Sequence, residues 1–181
     1  MRRTLSGVLG VLCILSPAFV CAQTGAPATS ATDVTAAQIQ AGLKRALEEL
    51  KPGVTVSDHL IGLSDIGKYN VAVAVVARPA GTFQNSLTHE KITEIYYVLK
   101  GSGTQVTGTM VDGTRSPSVS KNIGPGMSSN RPLQNSRSTK IGPGDIQVVP
   151  PGVGHGFTSI DPGGIEYLIF RVDADHVLAL Q

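Results

Sequence analysis

Between Val54 and Val172 the chain is cut into short extended runs by glycine and proline, and this pattern restricts the fold more than any other feature. Eight runs, Val54 to Val56, His59 to Leu63, Tyr69 to Ala77, Glu94 to Leu99, Gly103 to Val111, Ile146 to Val149, His155 to Ser159 and Ile165 to Val172, are rich in β-branched and apolar side chains. Arg78-Pro79-Ala80-Gly81 and Asp161-Pro162-Gly163-Gly164 between them are turns by composition, and Asp112-Gly113 suits a two-residue hairpin. Short strands at this spacing predict an all-β sandwich or barrel. Thr114 to Thr139 is rich in Ser, Asn, Pro and Gly and reads as a long surface excursion, either a lid or a tolerated insertion. Ile-Gly-Pro-Gly occurs at 123–126 and again at 141–144, which is too short for a structural repeat and reads as two similar turns.

Ahead of the strands the pattern is different. Residues 1–22 begin with Arg2 and Arg3, continue through the apolar run Leu5 to Val20, and end in Val20-Cys21-Ala22 with small residues at the cleavage positions. This is the composition of a secretory signal peptide cut after Ala22, and the run is short for the roughly 20 apolar residues a membrane anchor needs. Residues 23–33 are small and polar, a flexible linker. Over 34–53, Ile39, Leu43, Ala46, Leu47 and Leu50 recur at helical spacing opposite Lys44, Arg45, Glu48 and Glu49, predicting one amphipathic helix. Thr35 and Gln38 form a capping box, and Lys51-Pro52-Gly53 ends the helix. Residues 54–181 are left for the β domain.

Cleavage changes what composition implies. Loss of Arg2 and Arg3 lowers Lys plus Arg from 15 to 13 against 13 Asp plus Glu, so the mature chain has no basic footprint for nucleic acid. With the leader gone, no stable membrane association is expected. Cys13 and Cys21 leave with it, so any metal must be held by nitrogen and oxygen donors.

Two segments carry the chemistry: THEKITEIYYVLKGSG from Thr88 to Gly103, and GPGDIQVVPPGVGHGF from Gly142 to Phe157. Glu94, Tyr96 and Val98 share one strand face, His89 precedes that strand by a short bend, and a Pro-Pro-Gly turn puts His155 at the start of another strand. If these converge in a barrel lumen, a buried carboxylate and two imidazoles are costly unless they are paired or hold a metal. The alternative is a surface cluster or a hydrogen-bonded core pair.

In these segments the chain resembles the cupin superfamily. His89, Glu94 and Gly101 fall in register with its first motif, and Gly144, Pro150, Gly152 and His155 with its second, while Leu87 stands where the first motif has another His and Ser159 where the second has Asn. The resemblance covers about Ile66 to Asp173. It implies a cupin-type β-barrel, a double-stranded β-helix or jelly roll, holding a divalent metal ion (Fe, Mn, Zn or Ni) through His89, Glu94 and His155, and commonly a homodimer. Leu87 cannot coordinate, so three protein ligands remain; Asn85 shares its face but is more simply a turn residue. The loss of the fourth ligand either leaves an open two-His, one-carboxylate site or weakens the site.

Tyr96, inward by parity with Glu94, is the candidate catalytic proton carrier, against a packing role with its hydroxyl satisfied. Tyr97 is structural, Glu90 a solvated rim residue, and His59 and His176 surface or inter-subunit residues. The reading is an exported protein, periplasmic or secreted, acting as a metalloenzyme of dioxygenase, isomerase or lyase type on a small molecule. The alternative is a non-catalytic protein that binds a sugar or phenolic ligand; a structural role is third.

Overall fold

The computed structural model describes residues 29–115 and 123–178, so the 1–22 leader and the first part of the 23–33 linker lie outside the described residues. Helix α1 (Ala36–Glu49) opens with the capping box: the Gln38 N–H donates to Thr35 Oγ1 at 3.3 Å and the Thr35 N–H to Gln38 Oε1 at 2.9 Å. Leu43 and Ala46 are buried, whereas Leu47 is 45% exposed. The helix lies flat on a sheet, so its contact stripe is narrower than the apolar face read from the sequence. At Gly42 an added Cβ would come within 2.7 Å of Val75 Cγ2, which is why the helix can approach so closely.

The strands are β1 (Ser57–Asp65), β2 (Asn70–Arg78), β3 (Gly81–Thr82), β4 (Ser86–His89), β5 (Ile92–Thr109), β6 (Thr114–Arg115), β7 (Gly126–Ser129), β8 (Gln134–Ile141), β9 (Ile146–Val149) and β10 (Gly154–Asp173). All pairings among them are antiparallel. Strands β5 and β10 are long and pair along most of their length, so they run through both layers of the fold. The C-terminal half of β10 lies between β2 and the first half of β5, giving the layer β1-β2-β10-β5-β9. Its N-terminal half lies between β4 and the second half of β5, giving β6-β7-β4-β10-β5-β8. This is the jelly-roll arrangement. Val76, Tyr96, Val98, Ile141, Val149, Phe157, Ile160, Ile165, Tyr167 and Ile169 form the core between the layers, and Leu43, Val75 and Leu168 a second one under α1.

Several strand expectations change. Residues 54–56 are not a strand. The runs Glu94 to Leu99 and Gly103 to Val111 belong largely to one strand, and His155 to Ser159 and Ile165 to Val172 to another, because the intervening glycines bend the ladder without ending it. Asp161 to Gly164 is a bulge within β10: Ile160 pairs with Gly103 and Ile165 with Gly101, so four residues oppose one. The region Thr114 to Thr139 holds β6, β7 and part of β8 rather than a strandless excursion. Strand β8 is exposed along nearly its whole length and held by its ladder to β5, so it has no alternating apolar signal to read. Asp112-Gly113 makes no hairpin between paired strands, since β6 pairs with β7.

The bulge explains one motif glycine. Gly101 has φ +74°, and a Cβ there would stand 1.9 Å from the Gly164 carbonyl oxygen. Gly101→Ala therefore has to force β5 and β10 apart where they cross between layers. We expect a loss of more than about 3 kcal/mol in urea unfolding, at the upper end for backbone conflicts.

Candidate metal centre

Glu94 on β5 stands directly opposite Arg171 on β10, on the face that looks between the layers. His89 ends β4, and His155, one residue into β10, pairs with Leu87. The Pro150–Val153 turn is fastened to the first motif by the Gly152 N–H, which donates to the His89 carbonyl at 2.8 Å. Gly152 takes φ +78°, the left-handed conformation that the Pro-x-Gly spacing supplies. Local turn chemistry thus sets the two histidines side by side, with ring centroids 5.0 Å apart.

His89, Glu94 and His155 are all buried, and each offers a ligand atom within 4.8 Å of the others. Both Nε2 atoms lie 3.4 Å from Glu94 Oε2. His155 Nδ1 is 2.9 Å from the Val153 carbonyl, which can only accept, so Nδ1 carries a proton and Nε2 faces the carboxylate. Two imidazole nitrogens and a carboxylate oxygen turned on one point repel one another unless a proton or a metal ion lies between them. The fixed His155 tautomer is what a ligating histidine requires, so the donor set fits a divalent ion. His89 Nδ1 is buried with no hydrogen-bond partner.

Burial alone would raise the Glu94 carboxyl, but the Arg171 guanidinium and the two imidazoles hold it well below the usual carboxylate range. Arg171 Nε donates to Glu94 Oε1 at 2.9 Å, while its two terminal nitrogens reach the Asp58 carboxylate at 3.2 and 2.5 Å. The Tyr96 hydroxyl donates to Glu94 Oε2 at 3.0 Å, and burial and the adjacent carboxylate push its pKa well above the ordinary phenol value. Tyr96 therefore holds its proton at neutral pH.

These groups line a cavity of about 190 Å³ between the layers, together with Asn85 and Leu87. Leu87 lies on the wall beside the histidines, so among the described residues the cluster offers three candidate ligands. A family model described as Cupin matches residues 64–180. The chain belongs to the cupin family. No curated protein matches it. Among solved structures it is similar to KdgF from Halomonas sp., with 16% identity, TM-score 0.41, and 68% of this chain and 83% of that one covered. It is also similar to oxalate decarboxylase from Bacillus subtilis, with 16% identity, TM-score 0.42, and 71% and 28% covered. Pac13, described as a nucleoside dehydratase, has 19% identity, TM-score 0.39, and 66% and 69% covered. At these scores the solved structures bear on neither substrate nor reaction, and membership of the cupins rests on the sequence match.

The other residues singled out from the sequence scatter away from this cupin cavity. His59 Nε2 bonds Glu49 at 2.8 Å, tying α1 to β1; His176 is exposed; Glu90 pairs with Arg115 at 2.8 Å; and Tyr97 stands on the outer face. Sequence reasoning missed Arg171, Asp58, Arg78 and Gln105, all of which line the cavity. A signal existed for the arginines: each follows an apolar run, Arg78 after VAVAVVA and Arg171 after IEYLIF, where a charge needs a buried partner. Their partners lie on other strands, out of reach of local pattern.

Proposed function

We propose that this cupin is an exported metalloenzyme that holds one divalent ion through His89, Glu94 and His155 and acts on a small molecule in the cavity between its layers. The observation that carries this reading is the convergence of three buried donor atoms, with His155 oriented by the Val153 carbonyl and Glu94 by Arg171. Two imidazoles and one carboxylate suit Fe, Mn, Zn or Ni. An ion bound there supplies Lewis acidity, or redox chemistry if it is iron. The chain's own residues do the rest: Arg171 keeps Glu94 ionised and in place, and Tyr96, which keeps its proton at neutral pH, offers its hydroxyl as a hydrogen-bond donor to charge developing on a substrate beside Glu94.

One observation favours a second reading, a non-catalytic small-ligand protein. Among the described residues lining the cavity, both carboxylates, Asp58 and Glu94, are bound to Arg171, so neither stands out as a second acid–base group. The experiment is elemental analysis of protein isolated from its native compartment, followed by mass spectrometry of a metabolite mixture incubated with it. The enzyme reading expects one ion per chain and at least one compound altered, with turnover lowered about 10²- to 10⁴-fold by Tyr96→Phe at unchanged metal content. An intact bound compound points to the binding protein, and protein without metal sinks the metalloenzyme reading.

Export rests on the composition of residues 1–22 and expects a mature N-terminus at Gln23 in a periplasmic or secreted fraction. Homodimerisation is supported by an exposed apolar face, where Tyr97, Ile146 (65% exposed) and Val148 lie together on paired β5 and β9. Sedimentation at the monomer mass would count against it.

A further inference from the structure

Two polar side chains in the cavity are left without the partners their chemistry calls for, and neither belongs to the ligand cluster. Arg78 lines the cavity from the end of β2. Its Nε donates to the Tyr167 hydroxyl at 2.9 Å and its guanidinium lies 5.6 Å from the centroid of the Phe157 ring. Among the described residues no carboxylate forms an ion pair with it, Glu94 acting on its charge only through space, and a guanidinium has five N–H donors of which Nε supplies one. Gln105 is fully buried, lines the same cavity, and neither of its amide atoms has a hydrogen-bond partner. It sits opposite Phe157 in the ladder, so Arg78 and Gln105 flank the same aromatic ring.

Charge counting sharpens the point. Arg171 is matched within its own network by Asp58 and Glu94. With a divalent ion on Glu94 and two neutral imidazoles, the ion, Arg171, Asp58 and Glu94 together carry one positive charge, and Arg78 adds another. With the ion in place the cavity therefore holds unmatched positive charge, which favours an anionic occupant; without it these groups sum to zero and the open guanidinium fork of Arg78 is what selects a carboxylate. The fork of a guanidinium fits a carboxylate in two parallel hydrogen bonds, and an amide with both functions free fits a hydroxyl or carbonyl group on the same molecule. Size narrows the class further: about 190 Å³ holds on the order of a dozen water-sized positions.

We propose that the cavity binds a small hydroxy- or oxo-carboxylate, with Arg78 clamping the carboxylate and Gln105 bonding the neighbouring oxygen. This deepens the proposed function, since it rests on the reading that the cavity takes a small molecule. Arg78 touches none of the candidate ligands, so the clamp can be tested with and without metal.

The test is calorimetric titration of the full protein, manganese-loaded and metal-free, with pyruvate and benzoate against their uncharged counterparts methyl pyruvate and benzamide, and with inorganic phosphate. Each acid is expected to bind at least about tenfold more tightly than its counterpart in both forms. Arg78→Gln, which keeps an amide for the Tyr167 hydroxyl, is expected to abolish that preference with the circular dichroism spectrum unchanged. Arg78→Lys, with charge but no fork, is expected to fall between. Gln105→Leu is expected to weaken pyruvate about tenfold while leaving propanoate unmoved. Equal binding of acids and neutral partners overturns the proposal. So does a preference that survives Arg78→Gln, which would put the carboxylate on the metal, and so does Arg78-dependent binding of phosphate alone. If no metal is taken up but the metal-free protein keeps the Arg78-dependent preference, the metal reading fails and the carboxylate clamp stands. Metal uptake without that preference is the reverse.

Discussion

Arg171→Met is expected to destabilise the metal-free protein by about 3–5 kcal/mol, the range for stripping one partner from a buried ion pair. Arg171 is 1% exposed and Glu94 2%, so neither can turn to water when the other is removed. The loss depends on pH in a direction the site dictates. In the wild type the folded-state value for Glu94 is depressed, so its contribution is fully present above the unfolded carboxylate value and is lost as pH falls through the folded one. Without Arg171 its largest counterweight to burial is gone, and the carboxyl moves upward. The gap between variant and wild type is then widest near neutral pH and narrows toward pH 4. Urea midpoints across that range check it, and a gap that widens on acidification would overturn the assignment of Arg171 as the group that keeps Glu94 ionised. Since Arg171 also holds Asp58, Asp58→Asn separates the two arms: it is expected to cost less, because Asp58 is partly exposed and Glu94 keeps its bond.

Metal removal is the second large effect. An ion held at a concentration about 100 times its dissociation constant adds about 2.7 kcal/mol to the folded state. For a domain of this size that corresponds to about 10 °C in thermal midpoint. Chelation is expected to lower the midpoint by that amount and readdition to restore it. His155→Ala leaves two of three ligands, so metal affinity is expected to fall by more than about 100-fold, beyond the loss from disturbing an outer hydrogen bond. Its midpoint should no longer respond to added ion. A midpoint that still rises in His155→Ala as in the wild type would place the ion elsewhere. Replacing Leu87 by His tests the open position: its side chain lies on the same wall, and a fourth donor is expected to tighten binding.

The convergence of His89, Glu94 and His155 was largely legible in the sequence because their spacing reflects backbone requirements. Pro150 and Gly152 make a turn whose amide bonds the His89 carbonyl, and Gly101 admits the close approach of the Gly164 carbonyl at the bulge of β10. Such constraints leave marks at fixed distances along the chain. The helix was legible for the same reason, through Thr35, Gln38 and the apolar stripe. Strands β6 to β8 were not, since β8 faces solvent and owes its shape to hydrogen bonds with β5 rather than to any apolar alternation.

From its order of residues alone the protein was expected to be an all-β chain behind one helix, because turns, caps and period-two alternation are local and written residue by residue, and its resemblance to the cupins made His89, Glu94 and His155 the candidate donors. Only the folded molecule decided that Arg171 stands across from Glu94, that Asp58 shares it, and that Arg78 and Gln105 face the same cavity. Those pairs join residues up to 113 positions apart. A buried charge must find its counterion in space, and sequence distance places no limit on where that counterion comes from.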